Sequence, residues 1–139
     1  MADLTVSIIT VSYNSVGTIS DTIKSVLAQK YPNIEYIIID GSSTDGTTEL
    51  ISTFGKSISK FVSEPDNGIY DAINKGIRLA TGDIVGLLNS DDFFYDNNVI
   101  EIVVGAFKGH EIDAVFGDAQ FVDPIKTSKI VRFSSSKLF

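Results

Sequence analysis

Cysteine is absent from the 139 residues, which removes both a disulfide framework and thiolate metal ligands. Arginine is nearly absent. Arg78 and Arg132 are the only two, among eleven basic residues set against eighteen acidic ones, for a net charge of −7. A nucleic-acid partner calls for a basic stripe to meet the phosphate backbone, and none runs through this chain. Long hydrophobic runs are missing as well: stretches such as Ile37 to Ile39 fall far short of the roughly 20 residues that cross a bilayer. The opening Met1-Ala2-Asp3-Leu4 lacks the basic start and apolar core of a secretory signal, and the missing cysteines agree with a cytoplasmic setting. The single histidine, His110, follows a helical segment and reads as a solvated residue rather than a catalytic one. There is no internal repeat, low-complexity tract or linker.

What is present is the balance of a globular domain, 43% hydrophobic and 21% charged. The length fits one domain over residues 1–139. Thr5 to Thr10 is β-branched and apolar and predicts a buried strand. Ser12-Tyr13-Asn14-Ser15 then suits a turn and helix start. Ile19, Ile23, Val26 and Leu27 repeat at helical spacing, and Pro32 closes that segment. Tyr36 to Ile39 is a second strand, ending in the loop Asp40–Gly46, with a helix expected over Thr47–Phe54. Lys60 to Ser63 predicts a third strand and Ile84 to Leu88 a fourth. Between them Ile69, Ala72, Ile73, Ile77 and Ala80 make one helix face, Asp71, Lys75 and Arg78 the opposite one, and Gly82 fits a C-cap. Asn98 and Glu101 have capping-box spacing before a helix bearing Val99, Ile100, Val103, Val104 and Phe107. The tail from Ala114 to Phe133 is expected to be strand-rich.

Four strand–helix alternations predict an α/β fold: a mostly parallel open sheet flanked by helices, of the Rossmann-like nucleotide-binding kind. Right-handed crossovers bring the carboxyl ends of such strands to one edge, where ligands bind. Tyr13, Asp40, Glu64, Asp66, Asp91 and Asp92 all fall at that edge. Adjacent carboxylates at Asp91 and Asp92 repel unless a cation or donor lies between them. Oxygen-only ligands favour Mg²⁺ or Mn²⁺, although the pair also reads as a solvated turn before Phe93. Asp40 suits an acceptor for a ribose hydroxyl or a base N–H, or equally a cap on its own loop. Tyr13 can stack on a base or simply pack. Asp71 and Lys75, four apart, read as a surface ion pair. The Asp40–Gly46 loop carries neither Gly-x-Gly-x-x-Gly nor a Lys-Ser/Thr pair, which disfavours a dinucleotide reductase.

In series, Val6-Ser7-Ile8-Ile9-Thr10-Val11-Ser12-Tyr13-Asn14, Ile37-Ile38-Ile39-Asp40-Gly41-Ser42-Ser43-Thr44-Asp45-Gly46-Thr47, Gly68-Ile69-Tyr70-Asp71-Ala72-Ile73-Asn74-Lys75-Gly76-Ile77, Ala80-Thr81-Gly82-Asp83 and Leu88-Asn89-Ser90-Asp91-Asp92 resemble family 2 of the inverting glycosyltransferases, which have the GT-A fold. The likeness runs over roughly residues 4–120. It implies a nucleotide-diphosphate sugar donor, most often a UDP-sugar, and a saccharide or lipid-linked acceptor in polysaccharide or cell-surface glycan biosynthesis in bacteria. By the same resemblance Val11, Tyr13, Asp40, Gly68, Asp71, Lys75 and Asp91 hold the nucleotide sugar, with Tyr13 and Asp40 at the base and Asp91 at the ribose. Asp92 then ligates Mn²⁺ or Mg²⁺ at the pyrophosphate.

Two departures stand out. Asn89 occupies a position that is acidic in many relatives, and the family's catalytic carboxylate lies downstream, in an acceptor-binding half that would follow Phe139. Asp118 is the catalytic candidate within the chain, though its pattern slightly favours a turn residue between short strands. The expectation is therefore the N-terminal, donor-binding part of a longer enzyme, inactive or weakly active alone. The alternative is a nucleotide-sugar-binding module without catalysis of its own. The resemblance also allows peripheral attachment to the inner face of the membrane, and exposed sheet edges favour homo-oligomers.

Overall fold

The computed structural model of the chain describes residues 3–136. Its contacts divide the chain into two units, Met1–Val104 and Gly105–Phe139.

The first unit is built on strands β1 (Val6–Ser12), β2 (Ile34–Asp40), β3 (Lys60–Ser63) and β4 (Ile84–Leu87) in the order β3-β2-β1-β4. Every pairing is parallel. The β1–β2 ladder runs from Val6↔Ile34 to Ser12↔Asp40, so both strands outlast their most apolar stretches: a strand continues while its backbone finds partners. Helices α1 (Ile19–Leu27) and α2 (Thr47–Ser52) make the β1→β2→β3 crossovers. Helix α3 (Ile69–Leu79) returns from β3 to β4, in the opposite direction across the sheet. The reversal puts the switch point between β1 and β4.

Alternation along β1 and β2 sorts the core into two faces. Val6, Ile8, Tyr36 and Ile38 meet Ile19, Ile23 and Val26 of α1, Ile51 of α2, and Ile100 and Val104 of α4 (Val99–Gly109). The Tyr36 hydroxyl lies 3.0 Å from Thr10 Oγ1, and burial pushes its pKa up to about 12 against the lowering effect of that bond. On the other face Ile9, Val11, Ile37 and Ile39 pack with Ala72 of α3. That helix is rotated from the face its isoleucines suggest: Ala72 and Gly76 are buried, whereas Ile69 and Ile77 are 50% and 47% exposed. The reason is close approach. A Cβ on Gly76 would stand 2.5 Å from Ile9 Cγ2, so the helix settles on its smallest residues. Gly82 likewise is not a helix C-cap, since Ala80 holds that place. Instead Gly82 lies where a Cβ would meet Ser7 Oγ at 2.7 Å and the Thr5 carbonyl at 2.8 Å. The first turn of α4 is met from α1's end, where Gln29 Oε1 accepts from the Ile100 amide at 3.0 Å and Gln29 Nε2 donates to the Asp96 carbonyl.

At the amino edge of this sheet sits a charged knot. Glu35, opposite Ser7 in register, accepts from Lys60 Nζ at 2.7 Å, Ser7 Oγ at 2.5 Å, and the Thr81 amide and hydroxyl at 2.8 and 2.9 Å. Lys60 Nζ also donates to the Leu79 carbonyl at 2.6 Å, a cation on the last turn of α3. Desolvation of the Glu35 carboxyl raises its pKa, but the Lys60, Ser7 and Thr81 bonds prevail and hold it down at about 2.

The second unit contains the antiparallel pair β5 (Ala119–Val122) and β6 (Ile130–Ser134), so the tail is strand-bearing as its pattern predicts. Arg132 lies over the Phe121 ring, 5.1 Å from its centroid. Asp123 Oδ1 accepts from the Ile125 and Lys126 amides, both at 2.9 Å, and closes the connecting turn. No helix among the described residues is long and apolar enough to cross a membrane.

Candidate functional site

The carboxyl ends of the four parallel strands carry short polar loops, and side chains stitch these loops to one another. After β1 the chain turns at Asn14, whose φ is 47°, a left-handed conformation that Asn tolerates. The Asn14 amide donates to Ser43 Oγ at 2.8 Å and its Oδ1 accepts from the Thr44 amide at 2.9 Å, fastening the β1 loop to the β2 loop. Asp45 and Thr47 extend the seam: Asp45 Oδ2 accepts from the Val16 amide and Thr47 Oγ1 from the Ser15 amide. Ser15 Oγ lies 2.8 Å from Ser90 Oγ in the loop after β4, and Thr22 of α1 donates to the Asp92 carbonyl at 2.6 Å. The loop after β3 is tied to α3, where Asp71 Oδ2 accepts from the Asn67 amide at 3.0 Å and Lys75 Nζ donates to the Pro65 carbonyl at 2.9 Å.

These loops surround a crevice of about 870 Å³, bordered by Val11 to Ser15, Thr18, Gly41, Pro65, Asp66, Gly68, Ile69, Ala72 and Asn89 to Asp91. Its volume is that of a pocket for a drug-sized ligand. Tyr13 stands at it 67% exposed, an aromatic ring open to a ligand. A Cβ on Gly41 would fall 2.7 Å from Asp66 Oδ2, so a side chain there displaces the Asp66 carboxylate. Gly68 introduces α3 with φ 103°, and its amide donates to Asp66 Oδ1 at 2.9 Å.

Val11, Tyr13, Gly68 and Asp91, each singled out in the sequence, border this crevice together. Asp40, Asp71, Lys75 and Asp92 are not among its lining residues. Asp40 is fully buried: its carboxylate accepts from the Ser43 amide and hydroxyl at 2.9 and 2.5 Å and from Ser63 Oγ at 2.7 Å. In this arrangement Asp40 holds the Gly41–Gly46 loop. Asp71 and Lys75 grip the β3 loop from α3, and Lys75 Nζ also pairs with Glu64 Oε1 at 3.0 Å and Asp71 Oδ2 at 3.6 Å. The Glu64 bond, ahead of other charges, raises the Lys75 pKa; the Asn67 amide, with Lys75 and Arg78, lowers that of Asp71. Asp118 belongs to the second unit, where its Oδ1 accepts from the Ser136 amide and hydroxyl at 2.7 and 2.8 Å. Asp66 falls at the edge expected of it, where the sequence assigns it no role; Asn14 and Ser15, expected in a turn and helix start, and Ser90, in the strand-end motif, prove to join the loops. The signal available for these three was their position directly after β1 and β4.

Asp91 and Asp92 are both exposed, and Asp92 has its carboxyl raised by desolvation and then by the charge of Asp91. A divalent cation relieves both effects, and two adjacent carboxylates with the Asn89 amide nearby are a hard-oxygen donor set. No three acidic or histidine side chains converge on a metal-sized point among the described residues. The set therefore fits an ion that retains waters and ligand oxygens, the habit of Mg²⁺ and of similar hydrated ions.

The sequence profile described as "Glycosyl transferase family 2" matches residues 7–132. An uncharacterised glycosyltransferase of Mycobacterium tuberculosis H37Rv is 42% identical over 106 residues, 76% of this chain and 40% of that protein. Bacillus subtilis TuaG, provisionally named as a teichuronic acid biosynthesis glycosyltransferase, is 42% identical over 90 residues, 63% of this chain and 36% of that protein. The chain thus spans about two fifths of the length of the curated relatives it matches. Among solved structures, Staphylococcus aureus TarS 1-349 in complex with UDP-GlcNAc superposes with a TM-score of 0.71 at 21% identity, over 77% of this chain and 32% of that one. The mannosyltransferase PcManGT of Pyrobaculum calidifontis, in complex with GDP-Man and Mn²⁺, gives a TM-score of 0.69 at 24% identity, over 92% of this chain and 38% of that one. The fold is that of the GT-A glycosyltransferases. With the parallel sheet, the crevice at its carboxyl edge and the profile match in agreement, the chain belongs to glycosyl transferase family 2.

Proposed function

We propose that this chain is the donor-binding part of a glycosyltransferase that moves a sugar, with inversion, from a nucleotide-diphosphate sugar to a saccharide or lipid-linked acceptor in cell-surface glycan biosynthesis. The observation that carries this reading is the crevice itself, with the exposed Tyr13 ring and Asp66 on its border and Asp91 at the β4 end next to Asp92. Solved neighbours of this fold are complexes with UDP-GlcNAc, UDP and GDP-Man, and a UDP-sugar is the donor proposed here.

In this reading Tyr13 stacks on the base and Asp91 accepts from the ribose hydroxyls. Asp40 supports the base side through Ser43 and the Gly41 turn, and Val11 and Gly68 border the nucleoside closely enough to shape its seat. Asp92 is the protein ligand of Mn²⁺ or Mg²⁺. When bound, that ion stabilises the negative charge gathering on the departing nucleoside diphosphate. Asn89 offers a neutral oxygen where a third carboxylate would add charge, which leaves the ion more dependent on donor phosphates. Asp118 is the residue to substitute first for any acid–base role within these residues.

Calorimetric titration of the chain with UDP, GDP and UDP-GlcNAc, each with and without Mn²⁺, tests the reading. Binding of one nucleotide that strengthens with metal is the expected result. Absence of binding by all three, in a chain whose unfolding remains cooperative, refutes it.

A further inference from the structure

Lys75 lies in the second turn of α3 with only 18% of its side chain exposed, and its ammonium has gathered Glu64 Oε1, Asp71 Oδ2 and the Pro65 carbonyl. Its neighbour Asp71 accepts from the Asn67 amide, while Asp66 accepts from the Gly68 amide. Every residue of the 64–68 loop is thus fastened at a named atom, and two of the anchoring side chains come from α3. The same loop presents Pro65, Asp66 and Gly68 to the crevice, which neither Asp71 nor Lys75 borders. An ordinary surface pair four residues apart on a helix does not gather three partners.

Resting on the nucleotide-sugar reading above, we infer that Lys75 and Asp71 are positioning residues: they hold the 64–68 loop as a preformed wall on the nucleoside side of the crevice and act on the ligand through that loop. The metal and diphosphate side, at Asp91 and Asp92, belongs to a different strand end and is independent of them. A loop already ordered loses less conformational freedom when a ligand arrives, and that difference is what Lys75 contributes to affinity.

The test uses the full 139-residue chain and two variants, Lys75→Met, which keeps the stem and removes the charge, and Lys75→Arg, which keeps the charge. Three quantities are read: UDP affinity in saturating Mn²⁺, pyrophosphate affinity in the same Mn²⁺, and hydrogen exchange at the Asn67 and Gly68 amides, with Ile37 and Ile38 as core controls. In Lys75→Met, UDP binding weakens about five- to tenfold for the added cost of ordering the loop. Pyrophosphate binding is unchanged, the two loop amides exchange faster in the free protein while the core amides do not, and Lys75→Arg restores UDP affinity and loop-amide protection. UDP affinity equal to wild type overturns the inference. So does a loss of affinity with both loop amides as protected as before, which makes Lys75 a direct contact. Failure of the unsubstituted chain to bind UDP overturns the nucleotide reading instead, and the free-state exchange still decides whether Lys75 holds the loop.

Discussion

Replacing Glu35 by Gln removes one negative charge from the knot at the amino edge of the sheet while keeping the side chain's shape. The folded carboxyl is held at about 2, against an ordinary value of 4.5. A lowered acid stabilises the fold above its unfolded pKa, and that stability drains away as pH falls from about 4.5 through about 2. The difference sets a ceiling of about 3 kcal/mol. The Lys60 end of the pair is 35% exposed, so solvent screening brings the expected contribution to about 1–2 kcal/mol. Gln can accept at one atom but must present donors at the other, where Ser7 or Thr81 now donates, which adds to the loss at neutral pH. Urea unfolding of both proteins at pH 7, 5.5, 4.5 and 3.5 reads the result. The charge-dependent part of the gap is nearly full at pH 5.5 and falls to about three fifths of its neutral value at pH 3.5. A gap that stays constant over this range refutes the argument, because it means Glu35 acts through shape and not through its charge.

Asp92→Asn should cost about 1–3 kcal/mol of Mn²⁺-dependent nucleotide binding and leave metal-free binding nearly untouched, as read by paired titrations. Because desolvation and Asp91 raise the Asp92 pKa, protons compete with metal there at higher pH than at an ordinary carboxylate. Metal-dependent affinity should accordingly fade first on acidification, and one fixed-Mn²⁺ pH series checks it. Asp40→Ala strands Ser43 and Ser63 without their acceptor and should lower stability by about 1.5–3 kcal/mol in urea, weakening UDP more than pyrophosphate. Gly76→Ala adds up to about 1 kcal/mol of helix propensity, but crowding Ile9 in a filled core costs about 1–3 kcal/mol. Its melting temperature should therefore fall or at best hold, and a clear rise would show that the helix can lift away from β1.

Much of this architecture is legible in the sequence. The β-branched run at Thr5 to Thr10, the isoleucine run ending at Asp40 and the helical spacing of Ile19, Ile23 and Val26 all became elements where expected, since burial on both faces of a parallel strand leaves little choice of side chain. Helix α3 was harder, because hydrophobicity points to Ile69 and Ile77 whereas its seating is decided by the steric gap at Gly76, which only the position of Ile9 reveals. The same limit applies at the site. The strand-end carboxylates were visible in sequence. Which of them turns outward depends on partners both near and far along the chain: Ser43, three residues on, and Ser63, 23 residues on, satisfy Asp40, and Gly41 leaves room for Asp66.

The seams that join Asn14 to Thr44, Ser15 to Ser90 and Thr22 to Asp92 have a kinetic consequence. Each spans 30, 75 or 70 residues of chain, so none can close until distant strands have docked, and loops of that length form late in folding. A chain with β1 to β3 paired and β4 still loose lacks one wall of the crevice: it has no Ser90 to meet Ser15 and no Asn89 to Asp91 on the border. A nucleotide that binds only the finished crevice would then draw the last docking step forward by mass action. During synthesis its recovery of affinity would mark the moment when β4 takes its place against β1.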